Sequence, residues 1–149
     1  MLTEAVKNQF NCAFSILEAA IPSFTPEQWR IGRPSFVGPA RATAHVLQCA
    51  DFYTCEDRAV FVNLGKRVWE LSDTELPSQE RMLQYLPSVR ERTLRWIDSI
   101  GDAGLAMRKS DEQPIALERL IYAVRHFQHH TGEICAYQKQ FGMEPAPWK

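Results

Sequence analysis

The chain has 149 residues, of which 45% are hydrophobic and 23% charged, a composition typical of one globular domain. Lysine and arginine (17) almost balance aspartate and glutamate (18), so the net charge does not favour binding to nucleic acid or an anionic membrane. No apolar run approaches the roughly 20 residues that cross a bilayer, and residues 1–14 lack the pattern of a signal peptide. We therefore expect a single cytoplasmic domain over 1–149, without nucleic-acid or membrane partners.

Four segments carry apolar residues at three- and four-residue steps and are predicted to be helices: 3–20, 40–64, 78–100 and 114–140. Ser78 is the predicted N-cap of the third helix, and Pro87 inside that helix is expected to kink it. Gly142 is the predicted C-terminal stop of the fourth helix.

The segment between the first two helices, 21–39, contains four prolines and two glycines. This composition predicts a long irregular connection, and such connections often border functional sites in small domains. No convincing alternating strand pattern occurs in the chain. The predicted fold class is therefore all-α, a four-helix bundle with a long loop between its first and second helices.

The four histidines lie on the second and fourth predicted helices. His126 and His130 are four residues apart, so they lie on one helix face, and two imidazoles at this spacing can hold one metal ion. His129 points about 100° away from His130. His45 lies at the edge of the apolar side of the second helix. If the second and fourth helices are neighbours, His45, His126 and His130 can converge on one point.

Three histidines at one point leave coordination positions open for water or substrate, which is typical of catalytic rather than structural metal sites. Neutral imidazole suits zinc, nickel, copper and iron(II). The spacing alone leaves a second interpretation open, because histidines four residues apart also occur as solvated or core residues. Cys49 follows His45 by one helical turn and is either a fourth ligand or nucleophile, or a small core residue.

The segment HFQHHTGEICAYQKQFGMEPAPW at 126–148 resembles the last helix and tail of the DinB-like (DinB/YfiT) family. Members of that family end in a pattern close to HxxxHRGQ, followed by a helix remainder, a glycine and a proline-rich tail. The segments ARATAHVLQCADFY at 40–53 and MLQYLPSVRERTLRWIDSI at 82–100 are also similar to the family. The resemblance thus spans nearly the whole chain.

The resemblance implies a four-helix bundle, often dimeric, that holds a divalent metal through His45, His126 and His130 in a cleft between helices. Characterised members include metal-dependent transferases and isomerases that use a thiol cofactor. We therefore expect a homodimeric transferase or isomerase that binds zinc or nickel and acts on a small molecule with a low-molecular-weight thiol as co-substrate. No side chain stands out as a catalytic base.

Two other functions are compatible with the same residues. The first is a non-catalytic metal- or ligand-binding stress-response protein, whose ion mainly joins the second helix to the fourth. The second is an interaction module with an empty metal site. The presence of all three histidines argues against this function.

The chain departs from the family pattern after the last predicted ligand. Thr131, Gly132 and Glu133 stand where relatives commonly carry Arg-Gly-Gln, so this chain lacks an arginine there to contact a substrate anion. Glu133 lies one turn beyond His129 and His130. It either accepts a hydrogen bond from a ligand imidazole or is a solvated residue on the exposed face.

Overall fold

The structure, a computed structural model, describes residues 1–32, 38–54, 66–108 and 115–149. All regular structure in these ranges is helical. It comprises α1 (Leu2–Ala20), α2 (Pro26–Arg30), α3 (Pro39–Thr54), α4 (Gln79–Ala106), α5 (Ala116–Gln140) and two 3-10 helices, Ile21–Ser23 and Val68–Glu70. The all-α prediction is confirmed for these residues, and none of the described helices is both long and apolar enough to cross a membrane.

The four predicted helices correspond to α1, α3, α4 and α5. The predicted continuation of the second helix over 55–64 and the predicted start of the fourth at 114 lie outside the described residues. The fourth helix ends at Gln140, and Gly142 has a φ of 73°, as expected for a glycine at a helix C-terminus.

The prediction that 21–39 is wholly irregular is wrong, because this segment contains the 3-10 helix Ile21–Ser23 and the helix α2. Pro26 occupies the first turn of α2, where proline starts a helix rather than breaking it. Thr25 and Gln28 form a capping box: each side chain accepts a hydrogen bond from the other residue's backbone N–H, at 2.9 and 3.2 Å.

A buried tryptophan anchors this short helix to the rest of the protein. Trp29 is fully enclosed, and its Nε1–H donates to the carbonyl oxygen of Pro77 at 2.8 Å. The ring also packs against Phe24, with 6.1 Å between ring centroids. Because tertiary packing holds it, a helix of only five residues is stable here.

Helix α4 begins as predicted and is interrupted where the third predicted helix ends, just after residue 100, whereas the predicted kink at Pro87 is wrong. The Ser78 side chain accepts a hydrogen bond from the backbone N–H of Arg81, which confirms it as the N-cap. The backbone dihedral angles stay helical at Pro87, whereas Gly101 has a φ of 67° and interrupts the helix. A φ in this range costs glycine nothing, so the break falls there rather than at the proline.

Helix α3 packs against both α4 and α5, and α1 packs against the same two helices. Between α1 and α5, the rings of Phe14 and Phe127 meet edge to face with 4.8 Å between centroids, and both are fully buried. Because α3 lies directly beside α5, the face of α3 that carries His45 adjoins the face of α5 that carries the other predicted ligands.

A buried ion pair holds the other side of α3 against α4. The carboxylate of Asp51 is completely inaccessible and accepts hydrogen bonds from Arg92 Nε at 2.7 Å and Arg92 Nη2 at 2.9 Å. The Tyr85 hydroxyl donates to the same carboxylate at 3.0 Å. These bonds restrict how α3 can rotate or slide, and so they also restrict where its histidine lies.

Candidate metal centre

Two pairs of side chains, each separated by one helical turn, face each other across the α3–α5 contact. His45 and Cys49 belong to α3, and His126 and His130 belong to α5. The ring centroids are 5.1 Å apart for His45 and His126, 4.7 Å for His45 and His130, and 4.6 Å for His126 and His130. The structure thus brings together the three histidines that the sequence selected; that they bind a metal stays a prediction.

The two imidazoles of α5 are close enough to share one ion. The Nε2 atoms of His126 and His130 are 3.2 Å apart. Two nitrogens bound to one tetrahedral zinc ion at about 2.05 Å lie about 3.3 Å from each other. The two Nε2 atoms of α5 therefore already lie at a separation that suits one shared metal ion.

Glu133 orients the His130 ring. The Nδ1–H of His130 donates to Glu133 Oε2 at 2.7 Å, so the other ring nitrogen, Nε2, is the one that faces His126. Of the two roles that the sequence left open for Glu133, the structure shows the contact with an imidazole. His129 is mostly exposed and lies 3.5 Å from the other oxygen of Glu133.

Burial keeps the inner imidazoles uncharged. It lowers the pKa of His45 to about 4, and repulsion by His130 and His126 acts in the same direction. Burial also lowers the pKa of His126, again with repulsion from its histidine neighbours. Both rings are therefore neutral at pH 7, which is the form that binds a metal ion.

Two tyrosines form one wall of the site and were missed in the sequence analysis. The ring centroids of Tyr53 and Tyr122 are 5.2 Å apart, and each lies 6.1 Å from that of His126. Tyr122 is half exposed, so this side of the site reaches the protein surface. The spacing contained a signal, because Tyr122 precedes His126 by one turn and therefore shares its face.

Within the part of the chain that the structure describes, two groups of donor atoms can hold a metal ion: His45, Cys49 and His126, and His129, His130 and Glu133. Within each group, one ligand atom per residue lies within 4.8 Å of the others. The two groups adjoin each other at the contact between His126 and His130. Imidazole, thiolate and carboxylate together accept several divalent transition metals, so the donor types alone do not select one.

No family model matches the chain, and no curated protein matches it at a significant level. The likeness to the DinB-like family therefore rests on the three sequence segments quoted above and stays a prediction.

Proposed function

We propose that the protein is a DinB-like four-helix bundle that binds one divalent transition metal ion per chain through His45, His126 and His130. We further propose that the ion serves a transferase or isomerase reaction in which a low-molecular-weight thiol is the co-substrate. The observation that carries the proposal is the convergence of three imidazoles from two packed helices, with ring centroids 4.6 to 5.1 Å apart.

The donor set fits such an ion in chemistry as well as in distance. Burial and neighbouring histidines disfavour protonation of His45 and His126, as the lowered pKa of each ring indicates. A divalent cation uses the same lone pairs in place of a proton. Glu133 supports this role, because metal-binding histidines commonly donate their other N–H to a carboxylate.

The chemistry that a bound divalent metal supplies is Lewis acidity, which lowers the pKa of a coordinated thiol and makes it a nucleophile at neutral pH. The chain's own residues have other tasks in this proposal. Glu133 holds the proton on Nδ1 of His130. Tyr53 and Tyr122 form an aromatic wall on the side of the site that reaches the protein surface, and they give a small apolar substrate a surface to contact.

The resemblance also underlies our proposal of a homodimer. Trp148 in the C-terminal tail and Tyr122 beside the site are exposed aromatic residues of the kind enriched at subunit interfaces. Sedimentation at micromolar concentration tests this directly, and a monomer under those conditions contradicts the proposed dimer.

A non-catalytic metal-binding protein is the second candidate function. The observation that favours it is the Cys49 thiol, which lies 3.7 Å from both ring nitrogens of His45 and can occupy a coordination position that an enzyme needs for substrate. In that case the ion mainly joins α3 to α5.

The test of metal binding compares two neighbouring histidines of α5. Protein purified without a nickel column should contain about one zinc or nickel ion per chain by elemental analysis. His130→Ala should lose most of it, whereas His129→Ala, the matched control on the exposed face, should retain it. Equal metal contents in the two variants would show that the three-histidine assignment is wrong.

The test of catalysis follows on the same proteins. We expect the metal-loaded wild type and His129→Ala to transfer thiols to small electrophiles in a screen, and His130→Ala to lose that activity. A wild type that retains its metal but turns over no thiol substrate would favour the non-catalytic candidate.

A further inference from the structure

We propose that Cys49 is the fourth protein ligand of this ion, so that the metal-loaded site has three imidazoles and one thiolate. This inference rests on the proposed metal binding by His45, His126 and His130. Its structural basis is the pairing of the two helices: α3 supplies His45 and Cys49 one turn apart, and α5 supplies His126 and His130 one turn apart. Two such pairs on facing helices can place four donors around one point.

The separation between the Cys49 sulfur and the His45 ring is close to the one that a tetrahedral ion requires. Cys49 Sγ is 3.7 Å from both ring nitrogens of His45, and ligand atoms of His45, Cys49 and His126 all lie within 4.8 Å of one another. With bonds of about 2.05 Å to nitrogen and about 2.3 Å to sulfur, a tetrahedral zinc ion places the two donors about 3.6 Å apart. Cys49 therefore lies close enough to His45 and His126 to share an ion with them.

A site with three imidazoles and the Cys49 thiolate accepts fewer kinds of metal ion than a site with three imidazoles alone. A tetrahedral set of nitrogen and sulfur donors is typical of zinc, whereas nickel(II) more often takes square-planar or tetragonal geometry. On binding, the thiol loses its proton to solvent, and the sulfur–metal bond replaces the sulfur–hydrogen bond. The inference therefore favours zinc over nickel, the two ions expected from the sequence analysis.

The thiolate also occupies the position that a thiol co-substrate needs. If Cys49 holds the ion, an incoming thiol would compete with it for the same position, and the proton of the incoming thiol would pass to the Cys49 sulfur that it displaces. No oxidant or reductant is involved, because one thiolate replaces another. Cys49 is thus placed to control access to the ion.

Cobalt(II) substitution tests the inference on the full-length chain. We compare wild type with Cys49→Ser and with Cys135→Ser, which removes another half-buried thiol and serves as the matched control. The reductant is a thiol-free phosphine, so that no external thiol binds. We expect a sulfur-to-cobalt charge-transfer band in the near ultraviolet for wild type and Cys135→Ser, and cobalt binding without that band for Cys49→Ser.

The outcomes separate the two proposals. A wild type that binds neither cobalt nor zinc overturns the proposed metal function. A wild type that binds cobalt without the charge-transfer band, or a band that persists in Cys49→Ser, overturns only the assignment of Cys49.

Alkylation of the wild type provides a second measurement that does not depend on the folding of a variant. At alkaline pH, zinc should slow the reaction of Cys49 with iodoacetamide by about tenfold or more, because the metal–sulfur bond withdraws electron density from the thiolate and hinders the approach of the reagent. The rate at Cys135 should not change. An equal rate at Cys49 with and without zinc would refute ligation.

Discussion

Removal of Arg92 should destabilise the protein far more than removal of a surface arginine from the same helix. In the variant Arg92→Ala, the completely buried carboxylate of Asp51 loses the two N–H donors at 2.7 and 2.9 Å and retains the Tyr85 hydroxyl. A buried negative charge is then left without its cation. The matched control is Arg95→Ala, which breaks the ion pair of Arg95 with Glu91 on the exposed surface of α4.

The expected magnitudes follow from burial. Breaking a buried ion pair by removing one partner costs about 3 to 5 kcal/mol. Arg92 is itself 29% exposed, so water can partly solvate the remaining carboxylate, and we expect a loss near the lower end, about 3 kcal/mol. The side chains of Arg95 and Glu91 are 71% and 69% exposed, and such a pair contributes less than about 1 kcal/mol.

Urea-induced unfolding of the metal-free protein, followed by circular dichroism, measures both losses. The absence of metal keeps ligand binding from adding to the free energy of unfolding. We expect Arg92→Ala to lower this free energy by at least about 2 kcal/mol more than Arg95→Ala does. If the two variants differ by less than about 1 kcal/mol, the buried carboxylate does not depend on Arg92 and our reasoning is wrong.

Three further predictions concern separate parts of the molecule. Glu133→Gln should weaken zinc binding about tenfold and Glu133→Ala about a hundredfold, measured against a competing chelator, because the hydrogen bond that orients a ligand imidazole is weakened or lost. Phe14→Ala should lower the free energy of unfolding by about 3 to 5 kcal/mol, since the ring is fully buried against Phe127. The hydrogen bond from Lys66 lowers the pKa of Glu75 to about 2. The ionised carboxylate therefore stabilises the folded protein above pH 4.5, and this stabilisation is lost as the pH falls toward 2. Glu75→Gln should flatten that part of the pH–stability profile.

Each of these predictions has a result that contradicts it. Unchanged zinc affinity in both Glu133 variants would mean that the carboxylate does not orient the ligand. A loss of less than 1 kcal/mol in Phe14→Ala would show that the space left by the ring collapses almost completely. For Glu75, a carboxyl titration by NMR with a midpoint near 4.5 would show that the ion pair does not form in solution.

Much of the candidate site could be derived from the sequence because it depends on helix geometry alone. Successive residues of an α-helix are rotated by about 100°, so His126 and His130 share a face in any helix that contains them, as do His45 and Cys49. The same local rules identified Ser78 as an N-cap. The error over 21–39 came from weighing the number of prolines above their positions, although Thr25, Pro26 and Gln28 form a local helix-start signal.

Only the tertiary structure decided which faces meet. From the sequence, the three histidines could meet only if the second and fourth predicted helices were neighbours, and the sequence did not show that they are. The structure packs α3 against α5 and brings the ring centroids of His45 and His130, which are 85 residues apart in sequence (130 − 45), to 4.7 Å. The partners of Asp51 on α4 had no sequence signal either. Helical periodicity depends on the backbone geometry of near neighbours, whereas contacts between helices depend on how all apolar faces are buried together, so no local pattern specifies them.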